Sequence, residues 1–85
     1  MPHIEKNLRE PYDYIINQLP TIDTKGKLEY VIVRIMVKYM KLLPEKYSTL
    51  HETVYAVIHA AEEFKRRRLD RREDDAIVAN GDACV

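Results

Sequence analysis

Glu52, Tyr55, His59, Glu62 and Arg66 follow one another at intervals of 3, 4, 3 and 4 residues. That spacing sets them along one face of a helix. Glu63 borders the seam. Imidazole and carboxylate groups one turn apart can converge on a cation. Carboxylates favour magnesium or manganese, and imidazole favours softer metals. His51 and His59, two turns apart, can project together as well. The plainer reading is a solvated face with Tyr55 half-buried. Glu62–Arg66 and Glu63–Arg67 are then surface ion pairs worth about 0.2–0.5 kcal/mol each.

Downstream lies a basic run, Lys65-Arg66-Arg67-Arg68, with Arg71 and Arg72. Residues 62–72 carry six basic and three acidic side chains, a local charge of +3. Guanidinium forks grip phosphate oxygens in pairs, so a phosphate-bearing ligand is one partner such a run can take. Glu73, Asp74, Asp75 and Asp82 follow at once, giving −4 over residues 73–85. Adjacent blocks of opposite sign can instead pair with each other or with a second chain. No aromatic side chains alternate with the arginines, which argues against single-stranded nucleic acid. On a continuing helix, Asp70, Glu73 and Asp74 share a face and could hold magnesium partly through water. At a frayed helix end they would instead be solvated, and their charge would oppose the helix dipole.

Several catalytic patterns are missing. Gly26 and Gly81 stand far apart, so there is no glycine-rich phosphate loop. There is no Cys–His zinc spacing and no Gly-x-Ser-x-Gly elbow. Fourteen basic and fourteen acidic residues cancel, leaving no net field toward nucleic acid or an anionic membrane. The single cysteine, Cys84, forms no internal disulfide and suits a reducing cytoplasm. Met1-Pro2-His3-Ile4-Glu5 lacks the basic start and apolar centre of a signal peptide. These features predict a cytoplasmic protein of one domain over residues 1–85, near the lower size limit for an independent core.

The elements that must position these groups read as helices. Pro11 suits a first turn. Leu8, Tyr12, Ile15, Ile16 and Leu19, at offsets of 4, 7, 8 and 11, mark one helical face. Pro20 closes a helix over about 9–19. Asp23 or Thr24 can cap the next, which spans about 27–43. Tyr30 to Val37 is rich in Val and Ile and would suit a strand. The run, however, lacks a turn residue for 17 positions, whereas strands usually last about 4 to 8. Pro44 stops it. Thr49-x-x-Glu52 has the form of a capping box and opens a third helix over about 49–70. Leu50, Val54, Val57, Ile58, Ala61 and Phe64 or Lys65 trace its expected buried face. Asn80-Gly81-Asp82 signals a turn, and residues 76–85 read as a tail. The fold class is all-α, with three main helices.

The middle helix is apolar around most of its circumference. One stripe holds Leu28, Val31, Ile32, Ile35, Tyr39, Leu42 and Leu43. A second holds Tyr30, Val33, Val37 and Met40. Lys27, Arg34, Lys38 and Lys41 form a narrow polar strip. The apolar segment is too short and too charged to span a bilayer, which needs about 20 mostly apolar residues. A helix apolar nearly all round must be buried nearly all round, and this chain is too small to do that alone. The second stripe therefore predicts an interface at Tyr30, Val33, Val37 and Met40. A homodimer or tetramer would then complete a four-helix-type bundle core.

Glu29-Tyr30-Val31-Ile32, Glu63-Phe64-x-Arg66-Arg67 and Glu73-Asp74-x-x-Ile77-x-x-Asn80-Gly81-Asp82 carry a resemblance. From about residue 12 the chain resembles a small family of uncharacterised archaeal, bacterial and phage proteins. That family is grouped by fold with the all-α nucleoside triphosphate pyrophosphatases of MazG-like type. The resemblance implies an oligomeric helical bundle. In active relatives, Glu-x-x-Glu on one helix and Glu-x-x-Asp on the next hold magnesium against a triphosphate. This chain has Glu29-x-x-Ile32 and His59-x-x-Glu62 in those places, so half the anionic ligands are gone. The resemblance thus carries the fold further than the activity.

Two functions follow as expectations. One is a non-enzymatic accessory or scaffold oligomer with a degenerate MazG-like site. The other is a divalent-metal-dependent nucleoside triphosphate pyrophosphohydrolase. In that case Glu29, Glu62, Glu63 and Asp74 would hold magnesium, and Arg66 and Arg67 would meet phosphate.

Overall fold

The computed structural model describes residues 4–81. All regular structure among them is helical. A 3-10 turn at Lys6–Leu8 precedes α1, Glu10–Asn17. Then come α2, Lys25–Met40, and α3, Tyr47–Phe64. A π turn at Lys65–Leu69 leads into α4, Asp70–Asn80. The backbone stays right-handed helical at Phe64, Leu69 and Asp70, so α3, the π turn and α4 form one uninterrupted helical stretch. In that sense the described residues form three helices, as the periodicity predicts. Among the described residues, no helix is long and apolar enough to cross a membrane.

The strand alternative for Tyr30–Val37 fails because α2 is properly started and stopped. The Thr24 hydroxyl accepts the Lys27 N–H at 3.1 Å, filling one of the four donors a helix start leaves unpaired. Asp23 takes the other role its position offers, accepting from the Lys27 ammonium at 2.7 Å. Lys41 and the residues after it leave the helix just before Pro44.

The start of α3 differs from the sequence expectation. The helix begins at Tyr47, so Thr49 stands three residues after Lys46, whose carbonyl accepts the first helical bond from Leu50. The Thr49 hydroxyl accepts the Lys46 N–H at 3.0 Å and lies 2.7 Å from the Pro44 carbonyl and 2.9 Å from that of Lys46. Thr49 thus fills the reach-back position of a capping box, which Glu52 was expected to fill. A hydroxyl suits this role because it can donate and accept at once.

The end of the chain differs too. Residues 76–80, expected as tail, are the last part of α4. No Pro or Gly interrupts the sequence between Tyr47 and Asn80, so nothing forces an earlier stop. Gly81 provides the stop, with φ at 87° and its N–H on the Ile77 carbonyl at 2.7 Å. Glu73, Asp74 and Asp75 therefore lie inside a helix, and the dipole penalty expected at a frayed end does not apply to them. Asp82 and Cys84 lie outside the described residues.

The described chain divides into two compact units, residues 4–54 and 55–81. In the first, α2 and the opening turns of α3 meet at a corner. Its tightest point is Thr53, the one side chain buried among the described residues, at 5% exposure. Its hydroxyl lies 2.7 Å from the Thr49 carbonyl and 2.8 Å from the Met40 sulfur. The first contact is the i−4 back-bond typical of helical Thr; the second ties α3 to α2. The second unit is the helical run Tyr55–Phe64, the π turn and α4. No apolar side chain of either unit is buried.

Candidate functional site

The first unit carries an apolar groove of about 610 Å³. One wall is α2, through Val33, Met36, Val37 and Met40. The other is Leu50, Thr53 and Val54 of α3, and Lys41, Leu43 and Glu45 of the connecting segment complete the lining. Residues four apart on each helix line up, and the two rows face each other across the corner that Thr49 and Thr53 pin. Three residues of the expected interface, Val33, Val37 and Met40, sit together here. Tyr30 does not; it lines a separate hollow of about 440 Å³ with Leu19, Pro20, Ile22 and Val31. Tyr30 is 66% exposed, Val33 55% and Val37 41%.

In the second unit the charged seam is locked by ion pairs. Glu63 accepts from Arg66 Nη2 at 2.9 and 3.2 Å and from Arg67 Nε. Its side chain is only 15% exposed. The Arg67 and Arg66 guanidiniums together hold its carboxyl below the ordinary value of 4.5. Sequence spacing correctly pairs Glu63 with Arg67. It pairs Arg66 with Glu62, however, whereas Arg66 turns to Glu63. Two arginines thereby share one carboxylate, and Glu62 stays exposed.

The π turn adds a pair that helical spacing does not suggest. Lys65 Nζ meets Asp70 Oδ1 at 2.7 Å, five residues on. A regular α-turn sets residues five apart on different faces. The wider i→i+5 turn draws them into line. The Asp70 carboxylate raises the Lys65 ammonium above its ordinary value. Of the basic run, Lys65, Arg66 and Arg67 are thus held by acidic neighbours.

The candidate ligands are otherwise scattered. Glu29 is 3.9 Å from Lys25 on α2, with its side chain 64% exposed. Asp74 is exposed on α4. Among the described residues, no three His, Cys, Asp or Glu side chains are grouped to hold a metal ion. Within the second unit, Glu62, Glu63 and Asp74 do not form such a group, and Arg66 and Arg67 face Glu63. Two histidines lie against tyrosines one turn earlier: Tyr47–His51 centroids are 5.7 Å apart and Tyr55–His59 centroids 6.0 Å apart, both tilted. Sequence reasoning missed Thr53. Its recognisable signal is Thr at 49 and 53, four apart on the face that meets Met40.

Residues 1–83 match a family described as a domain of unknown function, DUF6899. The chain belongs to this family. No curated protein matches it. No solved structure matches it either. In this DUF6899 chain the apolar groove is the feature its residues form most clearly.

Proposed function

We propose that this chain is the subunit of a helical homo-oligomer, a MazG-like bundle acting as an accessory or scaffold protein. The carrying observation is that no apolar side chain among the described residues is fully buried. A folded domain is held together chiefly by apolar burial, and neither unit achieves it alone. The groove between α2 and α3 is a preformed place for a second chain to supply it, since exposed apolar patches of this kind mark association sites. The pyrophosphohydrolase reading finds less support. A metal-assisted hydrolysis needs carboxylates that fix the ion. Here Glu63 is paired with two guanidiniums, Glu29 is paired with Lys25, and Asp74 lies exposed on α4.

Thermal unfolding tests both halves of the proposal. For an oligomer whose core lies between chains, Tm rises with protein concentration. A Tm independent of concentration from 1 to about 100 μM would refute the oligomeric half. Adding magnesium with nucleoside triphosphates at about 100 times a site's Kd would stabilise a true substrate site by about 2.7 kcal/mol. The accessory role predicts no such shift. A clear shift with hydrolysis of the triphosphate would overturn it.

A further inference from the structure

Asn80 and Gly81 close α4 with the one Asn-Gly pair in the chain. That dipeptide carries its own chemistry. The glycine amide nitrogen can attack the asparagine side-chain carbonyl carbon, because no Cβ on the second residue shields it. The structure sets out both reactants. Asn80 is the last residue of α4 and is exposed. Among the described residues its carboxamide makes no hydrogen bond. Apart from its chain neighbours, nothing lies within 4 Å of the point where a Gly81 side chain would begin. The peptide between the two residues therefore stands in open space.

One contact restrains the reaction. The Gly81 N–H donates to the Ile77 carbonyl at 2.7 Å. The nucleophilic nitrogen is thus turned into the last helical turn, and its proton is held there. Attack needs that proton removed and the Asn80 backbone released from its helical conformation. Both require the turn to open. Helix ends are where opening costs least. This end has little to hold it, since no side chain of α4 is buried and Val78 beside the pair is 87% exposed.

We propose that Asn80 is a self-modification site gated by the end of α4. When the last turn opens, solvent base takes the Gly81 amide proton and the nitrogen bonds to the Asn80 Cγ. The carboxamide nitrogen leaves as ammonia. The cyclic imide that forms then takes up a water. Hydrolysis at one carbonyl gives an aspartyl residue at this position, and hydrolysis at the other gives an isoaspartyl residue. No oxidant or reductant is involved. Either product places a new negative charge at the C-terminal end of a helix, where it opposes the dipole. The isoaspartyl form also lengthens the backbone by a methylene, which takes the Gly81 N–H out of register with the Ile77 carbonyl. The modification therefore holds open the turn that admitted it.

The test is peptide mapping by mass spectrometry on the full chain kept in mildly alkaline buffer, folded and, in parallel, unfolded in guanidinium. Products at position 80 should accumulate in the folded chain about two- to tenfold more slowly than in the unfolded one, the protection that a single backbone hydrogen bond gives. Asn7 and Asn17, followed by Leu8 and Gln18, should convert far more slowly than Asn80 in both. Equal rates in the two states overturn the gate. A folded chain that stays intact while the unfolded chain converts overturns the site. Two variants alter the opening without touching the reactants. Val78→Ala and Val78→Gly remove no buried contact, and their conversion rates should differ about fivefold, with glycine the faster, as the helix propensities imply. Equal rates in that pair would show that opening of α4 does not control the reaction.

Discussion

Replacing Val33 and Val37 together by alanine separates a wet apolar face from a covered one. Each substitution removes two carbons, worth about 0.8 kcal/mol apiece when fully buried. In the single chain Val33 is 55% and Val37 41% exposed, so association can bury about half of each. The loss is then about 1.5 kcal/mol per chain, and about 3 kcal/mol for a two-fold pair in which each face is used once per chain. At about 1.4 kcal/mol per decade, self-association should weaken roughly 100-fold. The helix itself should not suffer, because alanine is a better helix former than valine. Sedimentation velocity across a concentration series gives the Kd, and far-ultraviolet circular dichroism follows the helix. An unchanged Kd with unchanged helicity would refute the claim that this face is covered.

Further outcomes follow from individual residues. Gly26→Ala should stabilise the protein by about 0.4–1 kcal/mol in chemical denaturation, because an added Cβ meets nothing within 4 Å inside α2; destabilisation would contradict that placement. Thr49→Val should cost about 1 kcal/mol by the same assay, since the Lys46 N–H loses its acceptor; no change would show that the corner does not depend on it. Glu63 should titrate below 4.5 by carbon-detected NMR. Because its folded value is depressed, the stability it contributes is present above 4.5 and lost as pH falls through the folded value. In Arg67→Ala the midpoint should move back toward 4.5, and an unmoved midpoint would exclude the Arg67 hydrogen bond as its main cause.

Much of this architecture is legible in residue types because the signals are local. Pro11, Pro20 and Pro44 and the caps around Thr24 bound α1 and α2 to within a few residues. The apolar stripe of α2 correctly predicts that Val33, Val37 and Met40 stand together. Tyr30 separates from them because the Leu19–Ile22 segment packs beside it, a neighbour that periodicity along α2 cannot reveal. The charged seam is harder to read. Arg66 has two carboxylates within helical reach, and spacing alone does not choose between Glu62 and Glu63. The π turn then changes the register that such counting assumes, which is why Lys65–Asp70 is invisible to an α-helical template. The Thr53–Met40 contact joins residues thirteen apart and depends on how the corner folds. The extension of α4 to Asn80 is hard to read because acidic residues near a helix C-terminus look like a fraying end.

Mass in solution tests self-association most directly. Light scattering coupled to gel filtration at micromolar concentration should return a multiple of 10.0 kDa, with the dimer as the smallest acceptable species. A single species of 10.0 kDa that keeps full helicity would contradict it, because Val33, Ile35, Tyr39 and Val54 would then lie folded and in water with nothing to cover them.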